Sequence, residues 1–201
     1  MVVNKRKFKT KKKKICVVGV SPKAGVTHIC LSMANFLHSV LRQKVVYIEL
    51  REDSSLLSVV GHKQVKLNNN VGYEYKGVTY VLTEDVKVVL TLMNTLDAWF
   101  IIDMSNLTDE TKTIFTNCNK RIVIGSLSPW CQREYHRFID ILKLKHIDIS
   151  QVTLYKSNKN KNKTNNNFET IYGQKILTLP TIKDPFSLRE EEFDVILDMI
   201  R

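Results

Sequence analysis

The sequence predicts an α/β fold, a mainly parallel central sheet with helices on both faces, formed by residues 15–201 as a single domain. Three observations lead there. Short apolar segments alternate with amphipathic ones along the chain. Most of the short segments are β-branched and hydrophobic throughout, as parallel strands are when both their faces are covered. The size, 201 residues with 43% hydrophobic and 25% charged side chains, suits one domain with a sizeable core.

The chain opens on Lys5, Arg6, Lys7, Lys9, Lys11, Lys12, Lys13 and Lys14. This run has no apolar period, so residues 1–14 are expected to form a flexible basic arm. Such an arm suits an anionic membrane or nucleic acid, each lysine near an acidic membrane contributing about 1 kcal/mol. A solvated tail is the plainer reading. Residues 15–20 read as the first strand and residues 27–41 as the first helix, whose Ile29, Met33, Phe36, Leu37 and Val40 share one stripe. Further strands are expected at 45–50, 99–104, 121–126, 152–155 and 176–179. Residues 73–80 alternate around Lys76-Gly77 and predict a small edge hairpin.

Ser128-Pro129 reads as the N-cap and first turn of a helix carrying Tyr135, Phe138, Ile139 and Leu142. Ser187 with Glu190 reads as a capping box opening a last helix, whose Phe193, Ile196, Leu197 and Ile200 pack on the sheet. Between them residues 156–167, dominated by Lys and Asn, predict a surface loop. Much of the formal charge of +11 sits in this loop and the arm. No apolar run approaches the roughly 18 to 20 residues that span a bilayer, and the basic start is followed by Ser-Pro-Lys rather than a cleavage region. A cytoplasmic protein is expected, with the arm able to hold it peripherally at a membrane. Cys16, Cys30, Cys118 and Cys131 lack ligand spacing and are expected to be reduced and structural.

The segment that carries chemistry is Ile15-Cys-Val-Val-Gly-Val-Ser-Pro-Lys-Ala-Gly-Val-Thr-His28, an apolar strand, a glycine-containing loop and directly a helix. Backbone N–H groups at a helix N-terminus and the helix dipole make an anion site there, and glycine admits close approach. Ser21, Pro22, Lys23, Ala24, Gly25, Val26, Thr27 and His28 are therefore the candidate nucleotide-binding residues. Aligned on Gly25 with the Gly-x-x-x-x-Gly-Lys-Ser/Thr form, Val20 stands at the first glycine, Val26 at the lysine and Thr27 at the magnesium-binding hydroxyl. Asp97-Ala-Trp-Phe-Ile-Ile-Asp103 is an apolar strand ending in a carboxylate, which suits a Walker B aspartate holding magnesium beside Thr27. A strand-end cap is the alternative for Asp103.

With this order of elements, from residue 15 to the C-terminus, the chain resembles the MinD/ParA branch of P-loop ATPases, which includes the pilus-localisation proteins TadZ and CpaE. The resemblance takes in the loop and first helix, Val45-Val-Tyr-Ile-Glu-Leu50, the strand ending at Asp103, Ile122-Val-Ile-Gly-Ser126, Leu179-Pro180 and Asp184-Pro185. It implies ATP or ADP with Mg²⁺ as ligand, and it adds Glu49, where the family carries an acidic residue, to Thr27 and Asp103 as a metal candidate. It also implies a protein partner or a homodimer meeting through the loop face.

The family's loop carries two lysines, and their positions here are Val26 and Ser21. Losing one charge-assisted contact to phosphate costs about 1.5–3 kcal/mol, or about tenfold to a hundredfold in affinity. Hydrolysis should lose more, because that charge meets the negative charge developing in the transition state. Lys23 is a candidate substitute, and His28 could cover the phosphates or make local hydrogen bonds. The expectation is a degenerate ATPase-like protein for spatial positioning or assembly, with weak nucleotide binding and little or no hydrolysis. A nucleotide-free scaffold and a nucleic-acid-binding partition protein are its rivals. No substrate-binding constellation for a metabolic kinase or ligase is evident.

Overall fold

The computed structural model describes residues 12–51, 54–157 and 163–201, with only the backbone of residues 163–166. In chain order the elements are β1 (Lys14–Gly19), α1 (Val26–Ser39), β2 (Val45–Leu50), α2 (Leu57–Val60), β3 (Gln64–Leu67), β4 (Asn70–Tyr75), β5 (Val78–Thr83), α3 (Val86–Thr95), β6 (Trp99–Met104), α4 (Asp109–Thr116), β7 (Lys120–Gly125), α5 (Gln132–Leu144), β8 (Val152–Lys156), α6 (Lys163–Tyr172), β9 (Ile176–Thr178) and α7 (Glu190–Ile200). The sheet has nine strands in the order β3-β4-β5-β2-β6-β1-β7-β8-β9. From β5 through β9 every pairing is parallel, while β3–β4 and β4–β5 are antiparallel.

Strand alternation sorts the core into two layers. Ile15, Val17, Tyr47, Trp99, Ile101 and Ile122 meet α1, α2 and α7 on one face. Cys16, Val18, Ile48, Phe100, Ile102 and Val123 meet α3, α4, α5 and Phe168 of α6 on the other. The expected helices on both faces are therefore present. The apolar face of α7 packs as expected, with Phe193 against Phe36 of α1 at 5.5 Å between ring centroids and Ile196, Met199 and Ile200 buried.

Several sequence expectations change in the folded chain. The hairpin turns at Lys76 and Gly77, both with positive φ (48° and 79°), which matches the twist of a two-residue turn. It is longer than the alternation suggested, and β3 adds a further strand, so β3 rather than the hairpin forms the sheet edge. Of the expected arm of residues 1–14, the last three are tied to the fold: Lys14 belongs to β1, Lys13 Nζ donates to the Arg201 carbonyl at 2.9 Å, and Lys12 pairs with Asp97. Residues 1–11 lie outside the described residues.

Both ends of the loop expected at 156–167 belong to regular elements. Lys156 ends β8 and is buried, α6 starts at Lys163, and residues 158–162 lie outside the described residues. Packing supplies what local propensity lacks. Phe168 is buried, 5.1 Å from the Tyr135 ring and 4.8 Å from that of Tyr172.

Ser128 does not cap α5. Its carbonyl accepts from Cys131 and Gln132 in a turn before the helix, and its hydroxyl takes a hydrogen bond from Ser126 Oγ. The capping box of α7 likewise moves two residues on, from Ser187 and Glu190 to Arg189 and Glu192. Glu192 Oε2 accepts from the Arg189 N–H at 2.8 Å, and Oε1 accepts from Lys183 N–H at 3.2 Å and Arg189 Nη2 at 2.9 Å. The helices α3 and α4, unassigned from sequence, bury Val89, Leu92 and Met93, and Ile114 and Phe115. Among the described residues no helix is long and apolar enough to cross a membrane. Cys16, Cys30 and Cys118 are buried free thiols, and Cys131 is partly buried.

Two measurements follow from this packing. A Cβ at Gly125 would stand 2.5 Å from Tyr135 Cδ2 and 2.8 Å from Val20 Cγ2, and the Tyr135 hydroxyl is tied to the Tyr155 carbonyl at 3.0 Å. Gly125→Ala should therefore destabilise by about 1–3 kcal/mol in denaturant titration. Burial alone would raise Glu192, but the N–H groups of Arg189 and Lys183 and the Arg189 guanidinium hold its carboxyl below the usual carboxylate range. A folded value below the unfolded one means stabilisation that is full above about pH 4.5 and fades as pH falls through the folded value. Glu192→Gln should lower stability by about 0.5–1.5 kcal/mol near pH 7. In urea midpoints that gap should close below about pH 4.

Candidate functional site

The loop between β1 and α1 folds back over the end of the strand. A Cβ at Gly19 would lie 3.0 Å from Val26 Cγ2 and 3.2 Å from the Ser21 carbonyl, so the missing side chain is what admits the loop. Gly25 sits at the N-cap of α1 with φ 97°, a left-handed conformation that side chains disfavour. No side chain caps this helix and no acid occupies its first turn. Its leading N–H groups are thereby open to an external acceptor, which helix termini need. Val20, at the first glycine position, turns toward the opposite layer and packs near Gly125.

Val26 joins the α1-side core as a partly buried side chain. The position that would carry the lysine is spent on apolar packing. Pro22 and Lys23 are exposed at the loop tip, and Lys23 has φ 62°. His28 is held by its ring, with Nε2 2.8 Å from the Ile182 carbonyl, so that nitrogen carries the proton and donates.

Asp103 reaches this loop because of strand period. It shares a face with Trp99 and Ile101, the face that α1 covers, and the β1–β6 register sets it beside Val17. It is buried, accepts a hydrogen bond from Tyr47 Oη at 2.9 Å, and is bonded by the Thr27 side chain. Burial pushes its carboxyl above the ordinary range, with Glu49 adding to the rise; Thr27, Tyr47 and Arg51 oppose it. Glu49 faces Asp103 across the β2–β6 register but is engaged elsewhere. Its carboxylate accepts from Ser54 Oγ and lies 3.6 Å from Arg51 Nη1.

A cavity of about 580 Å³ opens here, lined by the loop from Ser21 through His28 and by Gly19, Asp103 and Arg51. Met104, Ser105 and Asn106 complete its wall. All eight loop candidates thus meet Asp103 around one space, whereas Glu49 stays behind it. Sequence reading missed Arg51, Ser105, Asn106 and Tyr47. The only available signal was position for three of them, Arg51 following β2 and Ser105 and Asn106 following β6, whereas Tyr47 lies within β2 and reads as core.

The residues fit an anionic ligand carrying a hard cation. Uncapped amides, a hydroxyl and a buried carboxylate in contact are the donor set that such a ligand uses. Among the described residues no group of three or more His, Cys, Asp or Glu side chains is arranged to hold a metal by itself. Magnesium usually takes only one or two protein ligands, with phosphate and water supplying the rest.

No family model and no curated protein matches the sequence. Solved structures do match. A plasmid partition protein of Borrelia burgdorferi B31 bound to AMPPNP superposes with TM-score 0.66 over 94% of this chain and 98% of its own, at 15% identity. A ParA family ATPase from Chlorobium tepidum TLS gives TM-score 0.67 over 94% and 90%, at 10% identity. The chain has a ParA-like P-loop fold. A further structure of a plasmid partition protein from B. burgdorferi agrees, with TM-score 0.61 over 94% and 98% at 17% identity. At such identities the agreement concerns the ParA-like fold, and the site has to be read from this chain's own residues.

The contact between Tyr47 and Asp103 can be tested apart from any ligand. Tyr47→Phe removes the donor to a buried carboxylate and should cost about 1–3 kcal/mol in denaturant titration.

Proposed function

We propose that this chain is a degenerate MinD/ParA-like protein that binds ATP or ADP with Mg²⁺ weakly, hydrolyses it slowly or not at all, and acts in spatial positioning or assembly. The observation that carries the reading is the single cavity joining the uncapped start of α1, Thr27 and Asp103, with apolar Val26 in the lysine position.

Each part of the chain would contribute separately. The backbone N–H groups from Lys23 to Thr27 would cradle phosphate oxygens, Pro22 having none to give, and Gly25 would keep the backbone free to approach. Thr27 and Asp103 would hold the magnesium ion, with Glu49 as a more distant carboxylate in the same layer. Bound Mg²⁺ would supply neutralising charge to the phosphates. Tyr47 fixes one oxygen of Asp103. Val26 supplies no charge, which accounts for binding weaker by about tenfold to a hundredfold and for a larger loss in turnover.

The AMPPNP complex of the Borrelia protein supports a nucleotide, and the partition proteins and ParA family ATPase among the neighbours support positioning through a protein partner or a homodimer. Residues 5–14 would be the part that meets an anionic membrane or nucleic acid, in a cytoplasmic protein attached peripherally.

The test is calorimetric titration with ATP and with ADP, each with and without magnesium, alongside Thr27→Ala. Magnesium-dependent heat that the substitution abolishes is expected, measured at a temperature where the variant, which loses one hydrogen bond to Asp103, is still folded. No binding at millimolar nucleotide would leave a nucleotide-free scaffold instead.

A further inference from the structure

The cavity wall has a basic residue that the loop motif does not supply. Arg51 directly follows β2, the strand paired with β6 on the side away from β1. The register sets Leu50 beside Met104, and Ser105 Oγ donates to the Leu50 carbonyl at 3.4 Å. The chain leaving β2 is thereby stitched to the chain leaving β6, and Arg51 comes to line the same space as Thr27, Asp103 and Ser105.

Its side chain is restrained but not consumed. The backbone N–H of Arg51 donates to the Thr83 carbonyl at 3.2 Å. Its Nη1 lies 3.6 Å from Glu49 Oε1, and Glu49 is itself fixed by Ser54. Glu49 is 2% exposed while Arg51 is 41% exposed, so the anchor is internal and the guanidinium is at the opening. A guanidinium has five N–H donors, and the one contact made among the described residues, at that distance, leaves most of them for another acceptor. Its planar fork matches phosphate oxygens two at a time. Lys23 also lines the cavity, but on an exposed loop tip and with a flexible stem.

Resting on the nucleotide reading above, we propose that Arg51 supplies to the phosphates of a nucleoside di- or triphosphate the positive charge absent at Val26, and that Glu49 positions it. The site then reaches its anion from the β2 end instead of from the first turn of α1. Glu49, buried beside Asp103, acts as the holder of a cation in this arrangement.

The experiment is calorimetric titration of Mg·ADP and Mg·ATP into the wild-type chain, Arg51→Ala, Arg51→Lys and the double variant Arg51→Ala/Val26→Lys, with melting temperatures for all four. Arg51→Ala should weaken binding about tenfold to a hundredfold at temperatures where its fold is intact, Arg51→Lys should lie between, and Val26→Lys should restore part of the lost binding without restoring the melting temperature that Arg51→Ala lowers by unpairing Glu49. Wild-type binding that Arg51→Ala leaves unchanged would overturn the inference and spare the nucleotide reading. Equal weakening in Arg51→Ala and Arg51→Lys that Val26→Lys does not relieve would show a role in the fold alone and overturn it too. No wild-type binding would remove the nucleotide reading, and this inference with it.

Discussion

The structure hangs on one covalent constraint, the direct passage from the buried strand β1 through a six-residue turn of chain, 20–25, into α1. Lying between β6 and β7, β1 has neighbours on both edges and packed layers on both faces. The chain leaving it must reverse over its own end at once. Gly19 and Gly25 make that possible, one by lacking a Cβ where Val26 and the Ser21 carbonyl crowd in, the other by its left-handed backbone. The same reversal leaves the start of α1 uncapped and facing the strand ends. Site and fold therefore share one cause.

The electrostatics follow from the register. Glu49 and Asp103 stand opposite each other on adjacent strands, both buried, a pairing that would be costly if both carried bare charge. Each is provided for differently. Asp103 receives hydrogen bonds from Tyr47 and Thr27, and Glu49 takes Ser54 and the Arg51 guanidinium. A cation entering the cavity would relieve Asp103 further. The layer is thus balanced around Glu49, which holds Arg51, and Asp103, which lines the cavity.

Much of this could be read from the residues. The largely apolar runs at 45–50 and 99–104 give strands with those very bounds, because burial on both faces demands apolar side chains and only Glu49 and Asp103 interrupt them. The α1 stripe and the loop candidates were equally legible. Capping was not, because Ser128 and Ser187 satisfy a local rule that their neighbours override. Ser126 captures the Ser128 hydroxyl, and Glu192 reaches back to Arg189. The Asn-rich start of α6 read as loop because its anchor, Phe168, finds Tyr135 only across the fold.

The sequence by itself determined the fold class, the strand–loop–helix unit and the absence of lysine at Val26, since these depend on residue type, period and spacing along one segment. Tertiary structure decided which carboxylate meets Thr27 and which only supports it, and it brought Arg51 to the cavity. The reason is physical: hydrophobic period states which face a side chain takes, but only strand order and register state whose neighbour it becomes.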